Sequence, residues 1–175
     1  MLGSMVISIR AARVDDGPMQ QLIEIAAGKR FEEVDMPDIA GDESPSLTSL
    51  SQYANEGRAW TAVDEEDCPR GYVLVSIVDG QAHIDQVSVS PEVQGQGIGR
   101  ALIDQVAQWA LGGGLTAITL TTFELVPWNG PLYERLGFRV LNDTEIGPDL
   151  QVLREHEGAL GLDLKLRVCM RRDLA

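Results

Sequence analysis

Gln94-Gly95-Gln96-Gly97-Ile98-Gly99-Arg100-Ala101-Leu102 is the stretch that decides how this chain is read. Three glycines within five positions leave little side chain in the way, so successive backbone N–H groups can point into one concavity. A strand-like run, Ile84 to Val89, precedes it. A segment of helical periodicity follows, with Ile98, Ala101, Leu102, Val106, Trp109 and Ala110 on one face. A strand, a glycine turn and a helix in this order bring the positive end of the helix to the turn, which suits a polyphosphate anion.

Working outward, Gly112-Gly113-Gly114 stops the helix, and Ala117 to Thr122 is a threonine-rich, β-prone run. The strands on either side of that helix form a βαβ unit and are expected to be parallel neighbours. Upstream, Ala59 to Val63, Gly71 to Val78 and His83 to Val89 read as strands, the last two joined by the hairpin signal Asp79-Gly80, giving an antiparallel meander. Val6 to Arg10 alternates as a first strand. Asp15-Asp16-Gly17-Pro18 then opens a helix with Met19, Leu22, Ile23, Ala26 and Ala27 at helical spacing. Phe31 to Glu43 is an acidic, irregular connection, and Ser46 caps a second helix carrying Leu47, Leu50, Tyr53 and Ala54, which Gly57 ends.

Beyond the βαβ unit, Asn129 to Leu136 reads as a short helix, Phe138 to Leu141 as a strand, Asp149 to Ala159 as a helix and Leu164 to Met170 as a closing strand. The fold class is therefore α/β, with a mixed, mostly antiparallel central sheet of about seven strands flanked by helices. It is not doubly wound, because the second to fourth strands follow one another without helices between them.

At 175 residues the chain fits one domain, expected over 5–175, with residues 1–4 read as a remnant ahead of a native start at Met5. Apolar residues at 44% and charged residues at 23% match a soluble globular protein, and no run of about 18 apolar residues exists to cross a bilayer. Cys68 and Cys169 are isolated, without C-x-x-C spacing or a histidine pair, so no metal site is expected and a reducing cytoplasm is. The net charge of −13 argues against a nucleic-acid partner and favours a cationic one.

Three kinds of glycine turn bind phosphate. A P-loop requires Gly-Lys followed by Ser or Thr, but Arg100-Ala101 follows Gly99. A dinucleotide fingerprint requires G-x-G-x-x-G in the first βαβ unit of a parallel sheet, and this turn reads G-x-G-x-G after a meander. The third pattern is Gln or Arg, two residues, Gly, one residue, then Gly or Ala; Gln94, Gly97 and Gly99 match it. Downstream stands Trp128-Asn129-Gly130-Pro131-Leu132-Tyr133-Glu134-Arg135-Leu136-Gly137-Phe138. With both segments in order, the chain resembles the GCN5-related N-acetyltransferase superfamily, in which that loop binds the pyrophosphate of acetyl-CoA and the second segment has the form Asn-x-x-x-Tyr-x-x-x-Gly-Phe.

The resemblance implies roles residue by residue. Gln94, Gly95, Gln96, Gly97, Ile98, Gly99 and Arg100 would hold the phosphates, and the main chain of Val87 and Val89 the pantetheine arm and thioester oxygen. Asn129 would contact the same arm, and Tyr133, four residues on and on the same helical face, would be the general acid. Ala82-His83-Ile84-Asp85 resembles the place where arylalkylamine N-acetyltransferases carry two histidines, with His83 matching the first and Asp85 replacing the second. The pair works either as base and orienting carboxylate, or with Asp85 only binding the ammonium, and the general base is His83, Asp85 or a water chain. Phe31, Glu32, Glu33, Asp35 and Glu155 fall where relatives line the acceptor cleft. The expected reaction is acetyl transfer from acetyl-CoA to a primary amine of a small cationic molecule: an aminoglycoside or aminocyclitol antibiotic, a polyamine or an arylalkylamine. The alternatives are a protein lysine or N-terminus as acceptor, or a non-catalytic acyl-CoA sensor. By analogy with relatives, the expected assembly is a homodimer.

Overall fold

Asp79-Gly80 joins β3 (Pro69–Val78) to β4 (Gln81–Val89), and both turn residues are left-handed, with φ 50° and 73°. That conformation matches the twist of the flanking strands. The computed structural model describes residues 5–36, 44–161 and 166–174. In it β1 (Ser8–Ala11) pairs antiparallel with β2 (Ala59–Val63), and β2 antiparallel with β3. β5 (Ala117–Phe123) runs parallel to β4 through Ala82 opposite Ile118 and His83 opposite Thr119, as the βαβ reading expects. β7 (Arg167–Asp173) pairs antiparallel with β5, and β6 (Arg139–Val140) antiparallel with β7. The strand order is β1-β2-β3-β4-β5-β7-β6, a seven-stranded mixed sheet.

The chain gathers into two compact units, Met1–Val75 with Asp85–Gln105, and Ser76–Ile84 with Val106–Ala175. In the first, α1 (Gly17–Gly28) carries Pro18 in its first turn, and α2 (Leu47–Asn55) is capped by Ser46, whose side chain accepts the Ser49 N–H at 3.1 Å. Ile23 of α1 and Leu50 of α2 pack with Ala59, Tyr72 and Leu74 as a core. Each large apolar side chain buried there contributes about 2 kcal/mol.

The buried face of α1 differs from its apolar spacing. Met19 and Leu22 are exposed, whereas Gln20 is buried and donates to the Thr61 hydroxyl at 3.3 Å. The cause lies one residue before the helix. Asp16 is buried and receives Arg10 Nη1 and Nη2 at 2.8 Å each, the Arg13 N–H at 2.7 Å and the Thr61 hydroxyl at 3.2 Å. This polar cluster fixes how α1 meets the sheet, and Gly17 keeps the approach tight, since a Cβ there would lie 3.1 Å from Leu47 Cδ2.

In the second unit the hairpin turn also starts a helix. Asp79 accepts the Asp149 and Leu150 N–H groups at 2.9 and 3.0 Å, capping α5 (Pro148–Ala159) from outside its own segment. A Cβ on Gly147 would come within 2.4 Å of the Asp79 carboxylate, so that position has room only for glycine. Leu141, Leu150 and Cys169 form the neighbouring core cluster, with Val78 and Ile146 packed against it. The strand expected over Phe138 to Leu141 shrinks to two residues, and the closing strand sits later than expected, with Leu164 outside the described residues. Two further helices, α3 (Ile98–Gly112) and α4 (Gly130–Arg135), complete the order. Among the described residues no helix is long and apolar enough to cross a membrane.

Candidate active site

The glycine turn lies in the first unit. Gln94 is extended, and its Nε2 donates to the Val89 carbonyl at 3.2 Å, tying the turn to the end of β4. Gly95 and Gly97 both sit at φ 80°, and a Cβ on either would meet nothing within 4 Å. Glycine is needed there for conformation and not for lack of room. The turn from Gly95 to Gly97 is exposed, Ile98 is buried as α3 begins, and Arg100 is exposed in the first helical turn. An open, side-chain-poor turn at a helix N-terminus fits an anionic phosphate group.

Sequence spacing does not reveal a further member of this region. Arg30 Nη1 donates to Gln94 Oε1 at 3.0 Å, from 64 residues earlier in the chain. Arg30 belongs to the 3-10 turn Lys29–Val34, which also carries Phe31, Glu32 and Glu33 and ends at Asp35 in left-handed backbone, φ 59°. Glu32, Glu33 and Asp35 are exposed and Phe31 half-buried. The acidic connection and the glycine turn, separate in sequence, are thus brought together. Asp38, Asp42 and Glu43 of the acidic stretch lie outside the described residues.

Two carboxylates flank the second half of β4. Asp85, half-buried, accepts the Tyr53 hydroxyl of α2 at 2.6 Å. Burial and the Asp85 carboxylate push the Tyr53 hydroxyl up from its ordinary value, so it remains a donor, and Arg58 lies over the Tyr53 ring at 4.8 Å. The second carboxylate is Glu24 of α1, which the sequence reading did not single out. It accepts the Tyr72 hydroxyl at 2.9 Å, Gln86 Nε2 at 2.9 and 3.0 Å, and the Ser88 hydroxyl at 2.5 Å. Every one of these donors is neutral. Burial and the Glu24 charge keep the Tyr72 hydroxyl protonated well above its usual range. The only hint in the sequence is that Glu24 follows Gln20 by one helical turn, and Gln20 is itself buried.

The second unit holds the remaining expected residues. His83 is 2% exposed, and its Nδ1 lies 2.8 Å from the Thr119 hydroxyl on the paired strand. Asn129 accepts the Thr122 hydroxyl at 2.7 Å. Gly130 after it is obligatory, because a Cβ would stand 2.3 Å from the Glu124 carbonyl oxygen. Tyr133 follows one turn on, its N–H donating to the Asn129 carbonyl at 3.0 Å and its ring edge-on to Phe138 at 5.8 Å. Burial pushes the Tyr133 hydroxyl up to about 12, against the opposing charge of Arg167. It is protonated at neutral pH, as a proton donor must be.

Glu155 is exposed on α5, where Gln151 Nε2 donates to it at 3.2 Å. Two residues on, Glu157 is buried and accepts Arg167 Nε at 2.9 Å and the Thr121 hydroxyl at 2.5 Å, while Arg167 lies over the Phe123 ring at 4.6 Å. Among the described residues no group of three or more His, Cys, Asp or Glu could hold a metal ion.

A family model described as "Acetyltransferase (GNAT) family" matches residues 19–138. The chain is 29% identical over 143 residues to the peptidyl-lysine N-acetyltransferase YjaB of Escherichia coli K12, covering 81% of this chain and 88% of that protein. Among solved structures, Rv2747 from Mycobacterium tuberculosis in complex with CoA superposes with a TM-score of 0.69 at 22% identity, covering 96% of this chain and 99% of that one. The PaiA N-acetyltransferase of Thermoplasma acidophilum in complex with coenzyme A gives 0.66 at 15% identity, covering 97% and 99%.

Proposed function

The chain belongs to the acetyltransferase (GNAT) family, and from that premise we propose that it moves an acetyl group from acetyl-CoA to a primary alkylamine that arrives as a cation, first of all a lysine side chain of a peptide. The observation that carries the acceptor class is Glu24, a half-buried carboxylate with three neutral donors and no cationic partner among the described residues. Neutral donors hold the group in place without cancelling its charge, which remains available to an incoming ammonium. The likeness to a peptidyl-lysine acetyltransferase supports lysine within that class. The fold likeness to structures solved with coenzyme A supports the donor.

Bound acetyl-CoA supplies the thioester, whose C–S bond breaks as the amine nitrogen bonds to the carbonyl carbon. The turn from Gln94 to Gly99, with Arg100, holds the phosphates. The main chain of Val87 and Val89 aligns the pantetheine arm, and Asn129 steadies it. Tyr133 Oη gives its proton to the departing sulfur; its high pKa suits a donor that is re-protonated each cycle. The ammonium first gives one proton to the β4 pair, which frees the nitrogen lone pair for attack, and the second, lost once the C–N bond has formed, restores the Tyr133 hydroxyl. The half-exposed position of Asp85 supports it as the acceptor, with buried His83 bracing the strand through Thr119. Both Cys68 and Cys169 are free, which supports a reducing compartment.

A small cationic amine is the second reading, favoured by the exposed trio Glu32, Glu33 and Asp35 on one short turn, because multiply charged acceptors gain most from clustered carboxylates. Acetyl-CoA incubated with lysine peptides and, separately, with polyamines, aminoglycosides and arylalkylamines tests both readings by free thiol and product mass. Thiol release with peptides is expected; release only with small amines replaces the first reading by the second. Tyr133→Phe is expected to lower kcat roughly 100-fold at unchanged acetyl-CoA affinity. Undiminished turnover in that variant removes the acid role.

A further inference from the structure

Three side chains hold Glu24, and they do not hold its two oxygens equally. Tyr72 and Ser88, both buried, donate their hydroxyls to Oε2, at 2.9 and 2.5 Å. Gln86, half-buried on β4, reaches both oxygens: its Nε2 stands 3.0 Å from Oε1 and 2.9 Å from Oε2, and 3.0 Å from the Ser88 hydroxyl. Among the described residues Glu24 Oε1 therefore receives one donor, and that donor is neutral. A nitrogen placed between two carboxylate oxygens must be the donating end of its amide, which fixes the amide's orientation and leaves Gln86 Oε1 as an acceptor. Nothing among the described residues donates to that oxygen. Two acceptors, the charged Glu24 Oε1 and the neutral Gln86 Oε1, thus belong to one hydrogen-bonded pair of side chains.

We propose that Gln86 is the specificity-determining residue of the acceptor site: its amide holds Glu24 without cancelling its charge and, together with Glu24, forms a two-point seat for a primary ammonium. The assignment rests on Glu24 as the carboxylate that meets the acceptor, and it names the second contact and the source of selectivity at that site. A primary ammonium carries three N–H donors, so one can go to the carboxylate and another to the amide oxygen. The position calls for a neutral side chain of this reach, because a cation there would pair with Glu24 inside the protein and remove the charge that attracts the acceptor. Gln86 directly precedes Val87, whose main chain is proposed to align the pantetheine arm, so the seat stands on the stretch of β4 that holds the donor.

Acetylation of a cationic lysine peptide at saturating acetyl-CoA is measured at low and high salt for wild type, Gln86→Leu, Gln86→Arg and Glu24→Gln, with thermal melts as a check on folding. Gln86→Arg is expected to raise KM about tenfold at low salt and to lose most of the salt dependence, as Glu24→Gln does, because either change removes the uncancelled charge. Gln86→Leu deletes the amide contact but leaves the charge, so KM should rise about fivefold with the salt dependence retained. This split between the two variants is one that a merely structural role for Gln86 would not produce. A wild-type KM in Gln86→Leu, or a loss in Gln86→Arg that falls on kcat alone or keeps the full salt dependence, overturns the inference while Glu24 keeps its role through the effect of Glu24→Gln. If Glu24→Gln has no effect on KM, or the wild type acetylates no lysine peptide, the acceptor reading and this inference fall together.

Discussion

Asp16 and Glu24 are both carboxylates of the first unit, one at the start of α1 and the other two turns along it, yet their surroundings are opposite. Asp16 is buried against Arg10 in a two-point ion pair, with a backbone N–H and the Thr61 hydroxyl completing its shell. Glu24 has as many hydrogen bonds but no charge opposite it among the described residues. The first arrangement cancels a charge and fixes a helix to a sheet. The second fixes a charge and leaves it uncancelled. The contrast sets an acid neutralised within the fold beside the one proposed above to meet the acceptor.

The contrast predicts different losses on substitution. The largest is in Asp16→Asn, which breaks the two-point pair with Arg10 and leaves that guanidinium Asp67, exposed and at 2.8 Å, as its one anionic partner among the described residues: about 3 kcal/mol of stability should go, read from urea unfolding, with acetyl transfer per folded molecule intact. Burial pushes the Asp16 carboxyl up, but the Arg10 guanidinium, the Arg13 N–H and Thr61 together outweigh it and hold the group below the usual carboxylate range. Its contribution is accordingly present above the unfolded-state pKa of about 3.9 and lost as pH falls through the lower folded value. Asp16→Asn should flatten that acid limb; an acid limb identical to wild type would contradict the pairing.

A smaller loss is expected in Asp79→Ala. Asp79 is a third case, a carboxylate whose partners are two N–H groups at a helix start, and removing it should cost about 1 kcal/mol in chemical unfolding. Gly147→Ala would press a methyl group onto the same carboxylate, so the two changes together should cost less than their sum. Strict additivity would mean that Asp79 does not cap α5. The smallest loss belongs to Glu24→Gln, which keeps the shape and part of the hydrogen bonding: under 1 kcal/mol by the same measurement. A loss as large as that of Asp16→Asn would place Glu24 with the structural acids and dissolve the comparison.

How much of this was legible in sequence follows from where the partners come from. Asp79-Gly80, the Ser46 cap and the glycine turn are local devices whose residues and partners lie within a few positions, and each could be read directly. The parallel pairing of β4 with β5 followed from the intervening helix. The orientation of α1 did not follow, because apolar spacing named Met19 and Leu22 while Asp16 and Gln20, polar residues satisfied from Arg10 and Thr61, turned the helix the other way. Glu24 and Arg30 were hidden for the same reason: their partners stand 48 to 64 residues away on β3, β4 and the glycine turn. Glu157 was hidden likewise, since periodicity in a polar helix does not tell which carboxylate will find an arginine on a distant strand.

The most direct measurement is kcat/KM for a cationic lysine peptide with saturating acetyl-CoA, comparing wild type with Glu24→Gln at low and high salt. The charge of Glu24 acting on the acceptor predicts an approximately tenfold loss at low salt, carried by KM, that shrinks as salt rises, with the Kd of acetyl-CoA unchanged. Equal kcat/KM in the two proteins, or a loss independent of salt, would contradict the assignment of Glu24 to the acceptor.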